Sequence, residues 1–298
     1  MKELITPQDQ AATLASIIGI KSLILKREDL HPFKSHKGRS IPYMMDHYIG
    51  LGKYQFALSS SGNAAIAAAL HTQALVKSGK NVQLEIFVGT FVNANKFTLL
   101  TSLAADNPQN IKINQVERPR QAVFEITTRG YQSLRQSTDP IALEGYASLA
   151  DELNQITDLS AIFVGTSSGT TALALAELFK KIGKKIQIHI VQTSSCHPMS
   201  EDFPQNTPVM QDEEKSLADA IIDKTALRKL SVVRIVKSSG GYGWIVDNDT
   251  IEKAQKALKD NAGIDASPNG SLGISGLMVA SKSGWNASGT VVSIICGQ

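Results

Sequence analysis

Short apolar runs alternate with helix-length segments along this chain. The runs are rich in β-branched residues and lie at 22–25, 82–88, 161–164, 186–191 and 290–295. Several of them are continuously apolar and predict strands that are buried on both faces of a sheet. Helices are predicted between them, at 63–77, 146–156, 170–182, 249–261 and 272–283. This alternation predicts an α/β architecture with a largely parallel sheet.

Two polar stretches interrupt this pattern. Residues 193–211 are rich in serine, proline and other polar residues and predict a long loop. The charged residues 212–215 predict a solvated face of the molecule.

The composition excludes several classes of protein. The 298 residues are 42% hydrophobic and carry a net charge of +3, which excludes a disordered chain. No stretch approaches the roughly 18 consecutive apolar residues of a membrane span, and residues 1–7 lack the layout of a signal peptide. Two cysteines cannot build a disulfide framework, so we expect a reducing, cytoplasmic location. The basic residues are spread out and the histidines lack paired metal-ligand spacing, so neither nucleic acid nor a metal is expected.

The first loop of chemical interest spans residues 26–40, between a predicted strand and an apolar, helix-like stretch. Lys34, His36, Lys37 and Arg39 place four basic side chains within six residues. Neighbouring positive charges lower the pKa of a lysine, and a neutral lysine attacks carbonyl groups and forms Schiff bases. A solvated basic loop or a simple anion site is the alternative interpretation.

The second loop, residues 59–63, leads into an alanine-rich helix. Ser61 or Asn63 is the expected N-cap of that helix, because their side chains can accept hydrogen bonds from its first backbone N–H groups. Those N–H groups also suit a carboxylate or a phosphate. The alanines that follow allow the close approach of a second helix or a flat ligand.

The third loop, residues 164–171, lies between a predicted strand and a predicted helix. It combines glycines, hydroxyl side chains and a helix N-terminus, a layout that is typical of loops that bind phosphate. An ordinary helix cap has a similar sequence, so this loop alone does not decide between the two interpretations.

In order and spacing, these loops resemble those of one enzyme family. The matches to its K-x-E and S-F-K-x-R-G motifs are Lys26, Glu28, Ser35, Lys37 and Arg39. Its S-x-G-N, P-x-x-x-E-G-x-A-S and S-x-A-x-A/G segments are matched by residues 60–63, 140–148 and 216–220, and its C-G turn by 295–297. The sequence thus resembles the pyridoxal-phosphate enzymes of the tryptophan-synthase-β fold type (fold type II), most closely the serine/threonine dehydratase and threonine synthase branches.

This resemblance implies a role for each loop. Lys37 would form the Schiff base with pyridoxal 5'-phosphate and shuttle the α-proton of the substrate. Asn63 would hydrogen-bond the phenolic oxygen of the cofactor ring, and Cys296 would face the pyridine nitrogen. The substrate carboxylate would be bound by Ser60, Ser61 and Gly62. The cofactor phosphate would be bound by Gly165, Thr166, Ser167, Ser168, Gly169 and Thr170.

The resemblance also implies the domain layout. Two α/β domains with mostly parallel sheets would hold the cofactor in the cleft between them. Residues 1–41 and 142–298 would form a large, discontinuous domain that binds the cofactor. Residues 42–141 would form a small, mobile domain that binds the substrate.

Four departures from the family pattern concern the site itself. His36 stands where the family has phenylalanine, and Ser40 where it has glycine. The phosphate loop, nearly all glycine in relatives, carries hydroxyl residues at 166–168. Ser267 replaces the glutamate of the E-P-x-x-G segment. These departures bear on the substrate and the reaction more than on the cofactor.

The leading hypothesis is a lyase that removes the α-proton and the β-hydroxyl of L-serine or L-threonine, releasing a keto acid and ammonia. A replacement enzyme similar to threonine synthase or cysteine synthase is the alternative. A third hypothesis is a homologue that binds pyridoxal phosphate or an amino acid without turnover. The partners expected from the family are a small amino-acid substrate and a second copy of the chain in a homodimer.

Overall fold

The computed structural model describes residues 5–204 and 215–297 and has an α/β fold. Its strands are β1 (Gln8–Gln10), β2 (Leu23–Lys26), β3 (Gln55–Ser59), β4 (Gln83–Gly89), β5 (Ile111–Val116), β6 (Gln132–Ser133), β7 (Leu159–Gly165), β8 (Gln187–Thr193), β9 (Gly243–Val246) and β10 (Thr290–Ile294). Its helices are α1 (Ala12–Ile18), α2 (Lys37–Gly50), α3 (Asn63–Lys77), α4 (Ala94–Ala105), α5 (Pro119–Thr127), α6 (Ile141–Glu144), α7 (Ala147–Asn154), α8 (Thr170–Lys181), α9 (Lys229–Ser239), α10 (Asn248–Ala262) and α11 (Pro268–Lys282).

The predicted elements are present in this order. The predicted strands are β2, β4, β7, β8 and β10, and the predicted helices are α3, α7, α8, α10 and α11, so the α/β prediction is confirmed. The predicted loop at 193–211 overlaps the end of β8, and its residues from 205 onward lie outside the described residues. The predicted charged face likewise falls outside them, except for Lys215.

Two compact units divide the described chain. The first, here the terminal unit, contains the described residues of 1–31 and 146–298. The second, here the central unit, contains residues 32–145. Across residues 5–204 and 215–297, no helix is both long and apolar enough to cross a membrane.

The terminal unit contains a six-stranded sheet with the order β1-β2-β10-β7-β8-β9. All neighbouring strands are parallel except β1 and β2. Strand β10 is buried along its whole length, as the run at 290–295 predicts, and β9, which was not predicted, is buried in the same way. Because parallel strands end at the same edge of a sheet, the segments that follow β7, β8, β9 and β10 lie along one edge, where α/β proteins bind ligands.

Helix α11 approaches this sheet through glycines. A Cβ atom at Gly276 would lie 2.2 Å from Val191 Cγ2, and one at Gly273 would lie 2.4 Å from Ser293 Oγ. Glycine destabilises a helix interior by roughly 0.5–1 kcal/mol relative to alanine. The close approach of α11 to β8 and β10 accounts for glycine at both positions.

Beside β2, a buried polar network holds the first residues of the described chain. Lys26 is fully buried, donates to the Thr6 carbonyl at 2.8 Å and forms an ion pair with Glu152. The Thr6 hydroxyl donates to Glu28 Oε1 at 2.6 Å. Breaking one partner of a buried ion pair leaves an uncompensated charge, so this network fixes the local packing. Lys26 and Glu28, the K-x-E residues, are therefore part of this structural network.

A buried histidine lies in the centre of the terminal unit. Phe163 stacks on His189 with the ring centroids 4.3 Å apart, and Trp285 packs edge-on against it at 4.8 Å. Trp244 Nε1 donates to His189 Nδ1 at 3.0 Å, and His189 Nε2 lies 3.2 Å from Gln187 Oε1. Burial lowers the pKa of His189 to about 3. His189 is therefore neutral, with its proton on Nε2, and both tryptophans are packing residues.

The central unit contains a four-stranded parallel sheet with the order β5-β4-β3-β6. Helices α2 and α3 pack together in its core. Ala65, Ala67, Ala68 and Ala69 are fully buried there, in one cluster with Met44. Of the two possibilities for the alanine run, packing against a second helix accounts for these four residues.

Candidate active site

The phosphate-type loop connects the end of β7, at Gly165, to the start of α8, at Thr170. Gly169 is the N-cap and has a left-handed backbone with φ of 77°, and no side chain caps the helix. Helix N-termini carry partial positive charge and N–H groups that bind anions. The loop supplies N–H and O–H donors and contains no carboxylate, so its chemistry fits a phosphate group.

Both glycines of this loop are required by packing. A Cβ atom at Gly165 would lie 2.9 Å from Leu272 Cβ, which belongs to α11. A Cβ atom at Gly169 would lie 2.5 Å from Val232 Cγ2, and the positive φ is itself unfavourable for other residues. The loop therefore keeps glycine at its two ends, where neighbouring side chains leave no room.

The hydroxyl residues between these glycines have separate partners. The Thr166 hydroxyl donates to the Val164 carbonyl at 3.1 Å, and its N–H donates to the Val191 carbonyl. Ser167 Oγ accepts hydrogen bonds from the N–H groups of residues 222 and 223, each at 3.3 Å. Ser168 Oγ lies 3.0 Å from Thr170 Oγ1 at the start of the helix. The hydroxyls of Thr166 and Ser167 thus hold the loop in place. Those of Ser168 and Thr170 lie at the start of the helix, where an anion would bind.

Cys296 follows β10, which is the parallel neighbour of β7. Its side chain is buried, and Cys296 Sγ lies 3.6 Å from the carbonyl oxygen of Ile294. Ser267 donates to the Gly297 carbonyl at 2.7 Å and accepts the Gly270 N–H at 3.0 Å. Ser267, where the family has glutamate, therefore caps α11 and attaches the cysteine turn to it.

Lys37 is the first residue of α2, and its side chain is half-buried. His36 is its N-cap, and the Lys37 N–H donates to Ser35 Oγ at 3.3 Å. His36 and Arg39 are buried, whereas Lys34 is exposed and has a left-handed backbone with φ of 67°. This burial excludes a uniformly solvated basic loop, because two of the four basic side chains lie inside the unit.

The expected N-cap of α3 is wrong. Gly62, not Ser61 or Asn63, is the N-cap, and no side-chain hydrogen bond caps the helix. The Gly62 N–H instead donates to Ser60 Oγ at 3.3 Å, which closes the loop on itself. The side chains of Ser61 and Asn63 are therefore not engaged in capping, and the helix start keeps the character of an anion site.

The structure does not favour a cysteine nucleophile at Cys196, which precedes His197 in the sequence, or a metal site. Burial raises the pKa of the Cys196 thiol, which disfavours the thiolate that a nucleophile needs. His197 Nδ1 lies 3.0 Å from the Thr193 carbonyl. Among residues 5–204 and 215–297, no three His, Cys, Asp or Glu side chains are grouped to hold a metal ion.

The structure also identifies contributors that the motifs alone did not assign. Segment 216–223 touches the loop through Ser167, and it touches the start of α11 where Asn269 accepts the Ala220 N–H at 3.0 Å. The Asn248 side chain accepts the Leu217 N–H at 2.9 Å. The S-x-A-x-A/G resemblance marked this segment without indicating these contacts.

Comparison with known proteins covers nearly the whole chain. The family model for pyridoxal-phosphate dependent enzymes matches residues 2–297. The biosynthetic L-threonine dehydratase of Pasteurella multocida is 24% identical over 98% of this chain and 56% of its own length. The threonine synthase of Methanocaldococcus jannaschii is 25% identical over 91% of this chain and 68% of its own length. The chain thus spans between about half and two thirds of these relatives.

Solved structures show the same fold at low identity. The processed form of threonine deaminase isoform 2 from Solanum lycopersicum superposes with a TM-score of 0.77 at 20% identity, covering 98% of this chain and 83% of that one. Maize serine racemase also has a TM-score of 0.77, at 18% identity, covering 98% and 88% of the two chains. These matches agree with two α/β units and mostly parallel sheets. The chain belongs to the family of pyridoxal-phosphate dependent enzymes, and its fold is fold type II.

Proposed function

We propose that this chain is a lyase that converts L-serine or L-threonine into a keto acid and ammonia. The observation that carries the proposal is the pairing of two features on neighbouring parallel strands. Strand β7 leads into a loop of hydrogen-bond donors, and β10 leads to a buried thiol. Similarity to threonine dehydratase over 98% of this chain favours the same reaction class.

Lys37 is the residue we assign to hold the cofactor and to move the α-proton of the substrate. It begins α2 with a half-buried side chain, between buried Ser35 and Arg39. When bound, pyridoxal phosphate supplies an electron sink for the bond that breaks at the α-carbon. The Lys37 amine would take the proton from that carbon and deliver it to the β-hydroxyl, which leaves as water. A water molecule would then hydrolyse the resulting enamine, through its imine, to the keto acid and ammonia.

The remaining assignments follow the chemistry of each loop. Residues 165–170 would bind the phosphate through the start of α8, and Asn63 would bind the phenolic oxygen. Ser60, Ser61 and Gly62 bind the substrate carboxylate at the uncapped start of α3. Cys296 would face the pyridine nitrogen, and a neutral thiol, unlike a carboxylate, would not stabilise a proton on that nitrogen. A less protonated ring is a weaker sink, which favours elimination over reactions that need a long-lived carbanion.

The experiment is a borohydride reduction of the purified, cofactor-loaded protein, followed by peptide mapping and by assays for pyruvate and 2-oxobutyrate. We expect the label on Lys37 and one of the two keto acids as product. Lys37→Ala should lose the label and the activity, whereas Lys34→Ala, three residues away on an exposed side chain, should keep both. A label at any other lysine, or no keto acid from either amino acid, overturns the proposal.

A replacement reaction is the second candidate, favoured by the similarity to threonine synthase over 91% of this chain. Turnover of phosphohomoserine to threonine, with no keto acid from serine, would select it. Binding of cofactor with neither activity would select the non-catalytic homologue. As in the family, we propose a homodimer in the cytoplasm, which gel filtration and fractionation test.

A further inference from the structure

A cleft in the central unit lies beside the loop assigned to the substrate carboxylate. Its volume is about 520 Å³, and its walls are formed by Ser61, Gly89, Thr90, Phe91, Val92 and Glu117. All six residues belong to the central unit, at the ends of the parallel strands β3, β4 and β5. The volume falls within the range of roughly 300–1,000 Å³ for small-molecule sites. It is far more than the side chain of serine or threonine occupies.

Phe91 is the first unusual wall residue, because its side chain is fully exposed. The ring also lines the cleft, where an aromatic side chain offers a ligand a large apolar surface with a partly negative face. The turn that carries Phe91 is held at both ends. The Val92 N–H donates to the Gly89 carbonyl at 3.1 Å, and Gln115 Nε2 donates to the Thr90 carbonyl at 2.9 Å. Phe91 is therefore presented to the cleft by a hydrogen-bonded turn.

Glu117 is the second unusual wall residue of the cleft, because it has the one ionisable side chain among the six. It follows β5, and its side chain is exposed. Ser61, another wall residue, directly precedes Gly62, the N-cap of α3, and this helix start has the partial positive charge of an N-terminus without a side-chain cap. The cleft thus has a carboxylate-binding end, a carboxylate of its own and an aromatic face.

We propose that this cleft is a specificity site for an amino acid whose side chain carries a positive charge. This rests on the proposed function, because Ser61 is taken to bind the substrate carboxylate. The charged end of the side chain is bound by the Glu117 carboxylate and by the face of the Phe91 ring, since cations are attracted to aromatic faces. The cleft therefore extends the set of bound amino acids beyond serine and threonine to longer ones that bear a cationic group beyond the β-carbon.

The test uses a matched pair of ligands with the cofactor-loaded protein. L-Ornithine and L-norleucine have side chains of the same length, and only ornithine is charged at the end. L-Serine serves as the short reference. Binding is measured by the change in cofactor absorbance and, in Lys37→Ala, by calorimetry. We expect ornithine to bind about fivefold more tightly than norleucine, an effect of the size that an exposed ion pair gives, and the preference to fall with added salt.

Two variants assign the effect to the wall residues. Glu117→Gln should remove the preference for ornithine and leave serine binding unchanged. Phe91→Leu should weaken ornithine binding by about threefold and leave serine binding unchanged, as expected for an exposed cation–π contact. Glu125→Gln and Phe124→Leu, also exposed in the central unit but outside the cleft, are the matched controls and should change nothing.

The outcomes separate this inference from the proposed function. Equal binding of ornithine and norleucine overturns it, and so does a Glu117→Gln variant that weakens serine as much as ornithine. The latter result would place Glu117 at the α-ammonium group that all amino acids share. A borohydride label on Lys37 without any preference for ornithine leaves the proposed function standing. If calorimetry shows the preference for ornithine but no keto acid is produced, the lyase proposal is overturned and the proposal for the cleft stands.

Discussion

Two loops of this protein look alike in sequence but are built differently. Both connect a parallel strand to a helix, and both helices begin with a glycine N-cap and no side-chain cap. Gly169 has a left-handed backbone and is enclosed by Val232 and Met199, whereas Gly62 has φ of −118° and no atom within 4 Å of a Cβ position. Packing therefore accounts for the glycine of the β7–α8 loop, and access to the helix start accounts for that of the β3–α3 loop.

Substituting each glycine by alanine is the strongest way to break this comparison. Gly169→Ala should lower the free energy of unfolding by about 2–4 kcal/mol, because it adds backbone strain and a clash with Val232. Gly62→Ala should change it by no more than about 0.5 kcal/mol, because its surroundings are open.

Urea denaturation measures both free energies, and amino-acid titration of the loaded protein measures binding. We expect Gly62→Ala to weaken amino-acid binding although it spares stability. Equal destabilisation by the two variants would show that the two loops are not built differently.

The pH dependence of stability is the next effect in size, and it concerns the sheet beneath the β7–α8 loop. His189 has a pKa lowered to about 3 in the folded chain, against about 6.5 when unfolded. Between these two pH values the unfolded chain binds more protons than the folded chain. The contribution of His189 to the free energy of unfolding is therefore fully present above pH 6.5 and is lost as the pH falls below it. The protonation of His189 in the unfolded chain should lower the free energy of unfolding by about 2 kcal/mol between pH 7 and pH 5.

Urea denaturation at several pH values checks this, with His189→Gln as the control. The variant removes the titrating group, so its stability should depend less on pH in that range, even if it is lower throughout. An unchanged slope in the variant would mean that His189 is not the group responsible.

The smallest expected effect concerns Ser267, which caps α11 in the terminal unit as Asn93 caps α4 in the central unit. Ser267→Ala and Asn93→Ala should each cost about 1 kcal/mol of stability. Only Ser267→Ala should also shift the absorbance spectrum of the bound cofactor, because Ser267 attaches the Cys296 turn through the Gly297 carbonyl.

Ser267→Thr, which keeps the hydroxyl, should restore the spectrum. A spectral shift of equal size in Asn93→Ala would contradict a specific role for Ser267. The two caps therefore distinguish stabilisation of a helix from orientation of the cysteine turn.

The continuous apolar runs predicted the buried strands because a strand that is buried on both faces has apolar residues at successive positions. Strand β3 has no such run along its whole length: Gln55 and Ser59 are polar and exposed, and only the three residues between them are buried. Helix α2 contains Pro42, which ordinarily interrupts a helix, so its extent was not predictable. In both cases tertiary packing outweighs local preference.

The candidate site shows the same division. The order and spacing of the loop motifs predicted the family, and the match of the family model to residues 2–297 confirms it. The prediction of the N-cap of α3 was wrong because it relied on the strong capping preferences of serine and asparagine, and neither Ser61 nor Asn63 caps the helix. No local pattern indicates that Ser267 reaches Gly297, 30 residues away in sequence. The role of each loop residue and the roles of the two domains stay predictions.

The contact between Gly165 and Leu272 has a consequence for protein engineering. Leu272 of α11 occupies the space that any larger residue at position 165 would need. The loop and this helix therefore form one structural unit, although they are far apart in sequence. Transplanting the six loop residues alone onto another scaffold would leave their shape unsupported. A successful graft must carry the helix with it, and libraries that randomise the loop should vary position 272 at the same time.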